Sequence, residues 1–272
     1  MKNKRIFGAI VAGFVFLFAY QLQGILKIFG LRDFFGSAGF SVITNLLQIL
    51  VCMAGLIFVY RVGPGKALKE LGLRAPLGRA AAFSSLATLP ILIGFAFTSS
   101  ISPKLLLLNL AAFAIISPFA EEVVFRGYIF RQLYRRTGVG FWSAVLLPSI
   151  LFGLGHMSQS KGVWDFVGIT AITGLGSVFF AWTFMRWQDN LWVPFGLHFL
   201  MNFWWMVFAV DETALGGWLA NAVRIMTVVI AVALTLNKDK IWKPLPAEEA
   251  NILPPKKETE NSDEIEKRSV FA

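Results

Sequence analysis

Apolar residues recur in eight long blocks separated by short polar or basic stretches, the pattern of a chain that crosses a bilayer repeatedly. The blocks run over 6–26, 40–60, 80–98, 105–125, 141–158, 166–185, 191–210 and 217–236. Each reaches, or nearly reaches, the roughly 20 residues that a spanning helix needs. They predict an all-α polytopic membrane helix bundle of about eight transmembrane helices, forming one domain over 1–236. The remainder, 237–272, carries Pro244, Pro246, Pro254 and Pro255 among mixed charges and predicts a disordered tail. The first block follows Lys2, Lys4 and Arg5 as a secretory leader would. It is too long for one and lacks a small-x-small cleavage site, so it predicts an anchor.

Composition agrees with the pattern. Only 15% of the 272 residues are charged and the mean hydropathy is +0.65, whereas a soluble domain carries about 25% charged residues. The net charge of +9 raises the question of nucleic acid, but its distribution answers against it. With the N-terminus inside, that terminus, the loops 61–79, 126–140 and 186–190 and the tail hold twenty Lys and Arg. The opposite side holds four: Lys27, Arg32, Lys104 and Lys161. This bias predicts a multi-pass protein of the cell membrane with both termini cytoplasmic, the lipid bilayer as partner and no nucleic acid. The compact loops are of prokaryotic style. The single Cys52 lies mid-block, which allows no intrachain disulfide and predicts a buried thiol. The basic, aromatic segment 128–136 reads equally as an interfacial helix and as a simple basic loop.

Against this apolar background a few polar residues stand out. Glu121 and Glu122 close the fourth block, with Arg126 four residues on. Carboxylates in hydrocarbon cost several kcal/mol each unless they are neutralised. Helical geometry puts Glu122 and Arg126 on one face, with Glu121 turned about 100° away. That division suits a structural Glu122–Arg126 pair and a chemically active Glu121. The chain's two histidines lie in other blocks, as Phe152-Gly-Leu-Gly-His156 and His198-Phe-Leu-Met-Asn202. Gly153 and Gly155 allow close helix approach beside His156, and the spacing puts His198 and Asn202 on one face.

Three helices can thus aim a carboxylate, two imidazoles and a carboxamide at one polar intramembrane cavity. The set supports water-mediated amide hydrolysis, with the carboxylate taking a proton from water. One imidazole would position that water, and the other with the amide would stabilise the oxyanion. Glu121, His156 and His198 are alternatively a three-ligand set for a divalent metal such as zinc.

These three motifs, in this order on separate spans, resemble those of the CPBP family: type II CAAX prenyl endopeptidases and bacterial proteins related to bacteriocin self-immunity. The resemblance covers roughly 115–205 and implies an intramembrane endopeptidase. It implies that Glu121 and His156 activate water, that His198 and Asn202 form the oxyanion site, and that Glu122 and Arg126 support them. It favours no cofactor, since the His-Glu-x-x-His spacing of most zinc proteases is missing. The substrate it implies is a membrane-embedded or lipidated peptide or protein. A non-proteolytic binding or immunity protein on the same scaffold is one alternative, and a proton-coupled transporter is another. The lack of an internal repeat counts against the latter.

One expectation sits awkwardly with straight spans. Glu121 and His198 fall near the cytoplasmic third, while His156 lies fifteen residues into its block, roughly 22 Å from the cytoplasmic start. Tilt, a late start or a bend at Pro148 would reconcile the depths.

Overall fold

The computed structural model describes residues 2–103 and 105–242, and every regular element among them is helical. Long apolar helices carry the fold. α1 (Lys2–Ile28) and α2 (Leu31–Tyr60) form a hairpin through Gly30, whose φ of +73° suits the residue without a Cβ. A short α3 (Pro64–Glu70) leads to α4 (Leu77–Ala87) and α5 (Leu89–Thr98). There follow α6 (Leu107–Thr137), α7 (Phe141–Gly155), α8 (Val163–Arg186), α9 (Trp192–Val207), α10 (Trp218–Leu236) and α11 (Lys238–Ile241). Large apolar side chains point outward along these helices, among them Phe14, Phe58, Phe97, Leu147, Leu175 and Val229. Such a surface belongs in lipid. The chain is a multi-pass membrane protein.

The expected eight spans become fewer. Among the described residues six helical runs are long and apolar enough to cross a bilayer: α1, α2, α6, α7 together with the 3₁₀ turn that carries it on to Gln159, α8 and α10. The third block is a broken pair, α4 and α5, bent by 42° at Thr88. Pro90, in the first turn of α5, has no N–H to continue the helix. The seventh block forms α9, with 16 residues. At about 24 Å it falls short of the ~30 Å hydrocarbon core, and it packs inside the bundle against α4 and α6.

The most consequential departure is α6. The block was expected to end at 125, but the helix runs on through Arg126 to Thr137, 31 residues in all. The segment 128–136 is therefore a helical continuation of α6 and not a loop. Much of α6 is wound wider than an α-helix. It is π-helical over Leu110–Ile116, Val123–Phe130 and Gln132–Thr137, with α-helical turns at Ser117–Glu122. Such widening is uncommon and concentrates at functional sites. Pro118, which lacks an N–H, sits where the winding changes.

Buried charge holds the C-terminal end of α6. Asp189 accepts hydrogen bonds from Arg131 Nε at 3.1 Å and Arg135 Nη2 at 2.9 Å, and Arg136 pairs with Glu70 of α3. Asp189 and Glu70, expected as ordinary loop acids, are each 1% exposed. These ties bring the segments 61–79, 126–140 and 186–190 to one end of the bundle. The tail, expected to be disordered from 237, opens with helix α11, and Trp242 packs on Trp187. The rest of it, 243–272, lies outside the described residues.

Candidate active site

The site grows from the middle of α6. Glu122 is fully buried, and its Oε1 accepts Nη1–H of Arg126 at 3.0 Å. The i,i+4 pair read from the spacing is formed. The same oxygen also accepts from Nδ1 of His198, at 2.8 Å, across to α9. Arg126, itself 1% exposed, lays its guanidinium over the rings of Phe152 (4.8 Å) and Phe180 (5.3 Å). Phe180 in turn stacks on the imidazole of His198, with ring centres 5.2 Å apart. An ion pair withdrawn from water is tolerable when hydrogen bonds and ring faces replace its hydration.

Glu121, one residue earlier, points elsewhere and is 28% exposed. Its Oε2 lies 3.8 Å from His198 Nε2. His198 thus bridges the two carboxylates, with its Nδ1–H on Glu122 and its other nitrogen toward Glu121.

Glu121 and His156 line one cavity of about 480 Å³, walled by α1, α2, α6 and α7. His156 caps α7, and its Nδ1 lies 2.9 Å from Phe152 O. A carbonyl only accepts, so Nδ1 carries the proton and a neutral ring keeps its Nε2 lone pair available. The depths of Glu121 and His156 agree because α6 continues to Thr137. Glu121 is then sixteen residues from the C-terminal end of α6, and His156 fifteen from the start of α7.

The expected convergence of four groups on one cavity is met in part. Glu121 and His156 share the cavity, while His198 approaches the Glu pair from α9 and is not among the lining residues. Asn202 follows one turn later on α9, half-buried, with no hydrogen bond to the other three among the described residues. The two glycines also part company. A Cβ on Gly153 would sit 2.7 Å from Thr170 O, so α7 and α8 touch through it, whereas Gly155 has ordinary room beside Tyr20.

Other polar and aromatic groups complete the site without having been singled out. Phe152 opens the Phe-x-x-x-His motif, and that position was its only signal. Its carbonyl fixes His156, and its ring lies against both His156 (4.9 Å) and Arg126. On the opposite wall, Asn45 Nδ2 donates to Ser41 Oγ (3.1 Å) and Ser117 Oγ (2.8 Å). Ser41 and Asn45 stand four apart on α2, as do Ser117 and Glu121 on α6, and this polar i,i+4 spacing was the available clue.

Among the described residues no three or more His, Cys, Asp or Glu are grouped to hold a metal ion.

Comparison with known proteins points the same way as the motifs. Residues 103–204 match the family model "Type II CAAX prenyl endopeptidase Rce1-like". A stretch of 89 residues is 34% identical to the "Putative membrane peptidase YdiL" of Bacillus subtilis (strain 168). That match covers 33% of this chain and 32% of the relative, so the similarity spans about a third of each. No solved structure matches.

Proposed function

We propose that this chain, which matches the type II CAAX prenyl endopeptidase Rce1-like family model over residues 103–204, is an intramembrane endopeptidase that hydrolyses its substrate with water activated by Glu121. The observation that carries the reading is the division of labour within the Glu pair. Glu122 is spent on Arg126 and His198, while Glu121 faces a cavity that it shares with His156.

In this reaction Glu121 takes a proton as the water oxygen bonds to the peptide carbonyl carbon, and the Nε2 lone pair of His156 orients that water. The proton then passes to the leaving nitrogen as the C–N bond breaks. For His198 to steady the oxyanion its Nε2 must carry a proton, and Nδ1–H is already donated to Glu122, so the ring acts as an imidazolium. Two carboxylates, one guanidinium and one imidazolium leave the cluster neutral, as a low-dielectric setting favours. Asn202 is the second oxyanion donor, reaching the site when substrate is bound. No cofactor takes part. The substrate is a peptide or protein held in or at the membrane, and both termini face the cytoplasm.

Purified protein in detergent or liposomes, incubated with membrane-associated peptides and analysed by mass spectrometry, tests the reading. Cleavage is expected in the wild type, with and without a chelator, and not in Glu121→Gln. Full activity in that variant would refute the assignment, and loss on chelation restored by zinc would replace its metal-free form. Proton-driven solute uptake without proteolysis would point instead to a transporter.

A further inference from the structure

His156 stands where a helix is least well held. It follows the last residue of α7, and the end of a helix frays unless something outside it supplies bonds. Here the chain continues into the 3₁₀ turn Met157–Gln159, in which Gln159 N donates to His156 O at 3.0 Å. The side chain of the same Gln159 reaches out of the turn, and its Oε1 accepts the backbone N–H of Ala214 at 2.9 Å. Ala214 belongs to the loop 208–217 between α9 and α10, and this loop is itself pinned. Arg224 of α10 donates from Nη2 to Ala214 O at 2.9 Å and from Nη1 to Asn221 Oδ1 at 2.8 Å. Asn221 Nδ2 in turn donates to Leu215 O at 3.0 Å. Leu215 packs so closely on α8 that a Cβ on Gly168 would sit 2.8 Å from it. Ala214 is thus held through both of its backbone groups, by Gln159 on one side and by Arg224 on the other.

A cation inside the last apolar block needs a reason to be there. The hydrogen bonds of Arg224 go to a carbonyl and a carboxamide oxygen, and its guanidinium lies over the Trp205 ring, 4.9 Å from the centre. Its donors are spent on fixing the loop. We infer that Arg224 and Gln159 are positioning residues for His156. Arg224 fixes the loop 208–217, the loop fixes Gln159, and Gln159 holds the turn that keeps the imidazole at the cavity. The inference rests on the reading in which His156 orients the attacking water, and it adds the residues that aim it. Arg224 is not among the residues that line the cavity, so its loss acts on the placing of His156 and not on contact with substrate. A group displaced by about 1 Å from its productive position costs rate even when the change lies far from the chemistry.

The test uses full-length protein in detergent with its histidines labelled with nitrogen-15. The chain has only two, so His198 serves as the internal control. In the wild type the ring signals of His156 should be those of the single Nδ1–H tautomer that its bond to Phe152 O requires. Gln159→Met and Arg224→Met should each move them toward a mixture of tautomers and leave those of His198 in place. Each should lower kcat roughly three- to tenfold, the reach of one hydrogen bond, and Arg224→Met should leave KM nearly unchanged. The double variant should lose no more than the weaker single variant, because both act through Ala214. Arg224→Lys keeps a donor for Ala214 O and should recover part of the loss. Unmoved His156 signals in the folded single variants, or losses that multiply in the double variant, would overturn the inference. Should Arg224→Met fail to fold, the His156 signals of Gln159→Met decide alone. Those signals do not depend on cleavage, so an inactive wild type would strike the endopeptidase reading while the tautomer still judged the positioning.

Discussion

His198 Nδ1 lies 2.8 Å from Glu122 Oε1, the oxygen that Arg126 also reaches, so one buried carboxylate orders a cation from its own helix and an imidazole from another. Adjacent glutamates of the same chemistry therefore have different environments, and their replacement should have different consequences.

Glu121→Gln removes a partly exposed carboxylate, the proposed base, and leaves the Glu122 cluster in place. Cleavage should fall by at least about 100-fold, the usual reach of a general base, while thermal stability in detergent stays near that of wild type. Glu122→Gln leaves Arg126 buried without a counter-charge, which costs about 3–5 kcal/mol. It should lower the unfolding temperature clearly. The reverse ranking, with Glu121→Gln the less stable protein, would mean that the roles are exchanged.

Phe180 touches both Arg126 and His198 through its ring faces, and no motif includes it. Stacking and cation–π contacts contribute about 0.5–2 kcal/mol each beyond the area they bury. Phe180→Leu keeps the apolar bulk and removes the ring, so kcat should fall several-fold with KM little changed, and Phe180→Tyr should restore much of it. Equal loss in the Leu and Tyr variants would reduce Phe180 to filling space.

These contacts mark what the sequence could and could not disclose. The Glu122–Arg126 pair was legible because i,i+4 spacing is a local property of a helix. The length of α6 was not. Arg126 and Arg131 look alike to hydropathy whether they meet water or a buried partner, and the partner of Arg131, Asp189, lies 58 residues away. Ending the block at 125 put Glu121 at the wrong depth and made His156 look misplaced. The π-helical winding has no simple sequence signature beyond Pro118. The shortness of α9 was masked by apolar residues, Phe208, Ala209 and Val210, that continue past Val207, where the helix stops.

Close approach at Gly127 gives a third prediction. A Cβ there would stand 2.7 Å from the carbonyl oxygen of Leu71, which is backbone and cannot swing aside. Gly127→Ala should therefore destabilise the protein by about 1–3 kcal/mol and lower activity through the neighbouring Arg126. On α1, Gly13 has nothing within 4 Å of the same position, and Gly13→Ala should be neutral or gain up to about 1 kcal/mol. Unfolding midpoints of the two variants in one detergent compare them directly, and equal midpoints would contradict the packing described.

Orientation gives the last. The ion pairs of Arg131, Arg135 and Arg136 gather the basic loops at one end of the bundle, while Lys161 lies in the turn after α7, at the other. Anionic lipid and the insertion machinery retain positive loops in the cytoplasm. Cys52 is buried, so a Cys52→Ser background gives single-cysteine variants a clean readout. Lys161→Cys should then react with an impermeant maleimide in intact cells. Arg74→Cys, exposed at the basic end, should react only after the membrane is opened. Labelling of Arg74→Cys in intact cells, with protection of Lys161→Cys, would invert the topology and place both termini outside.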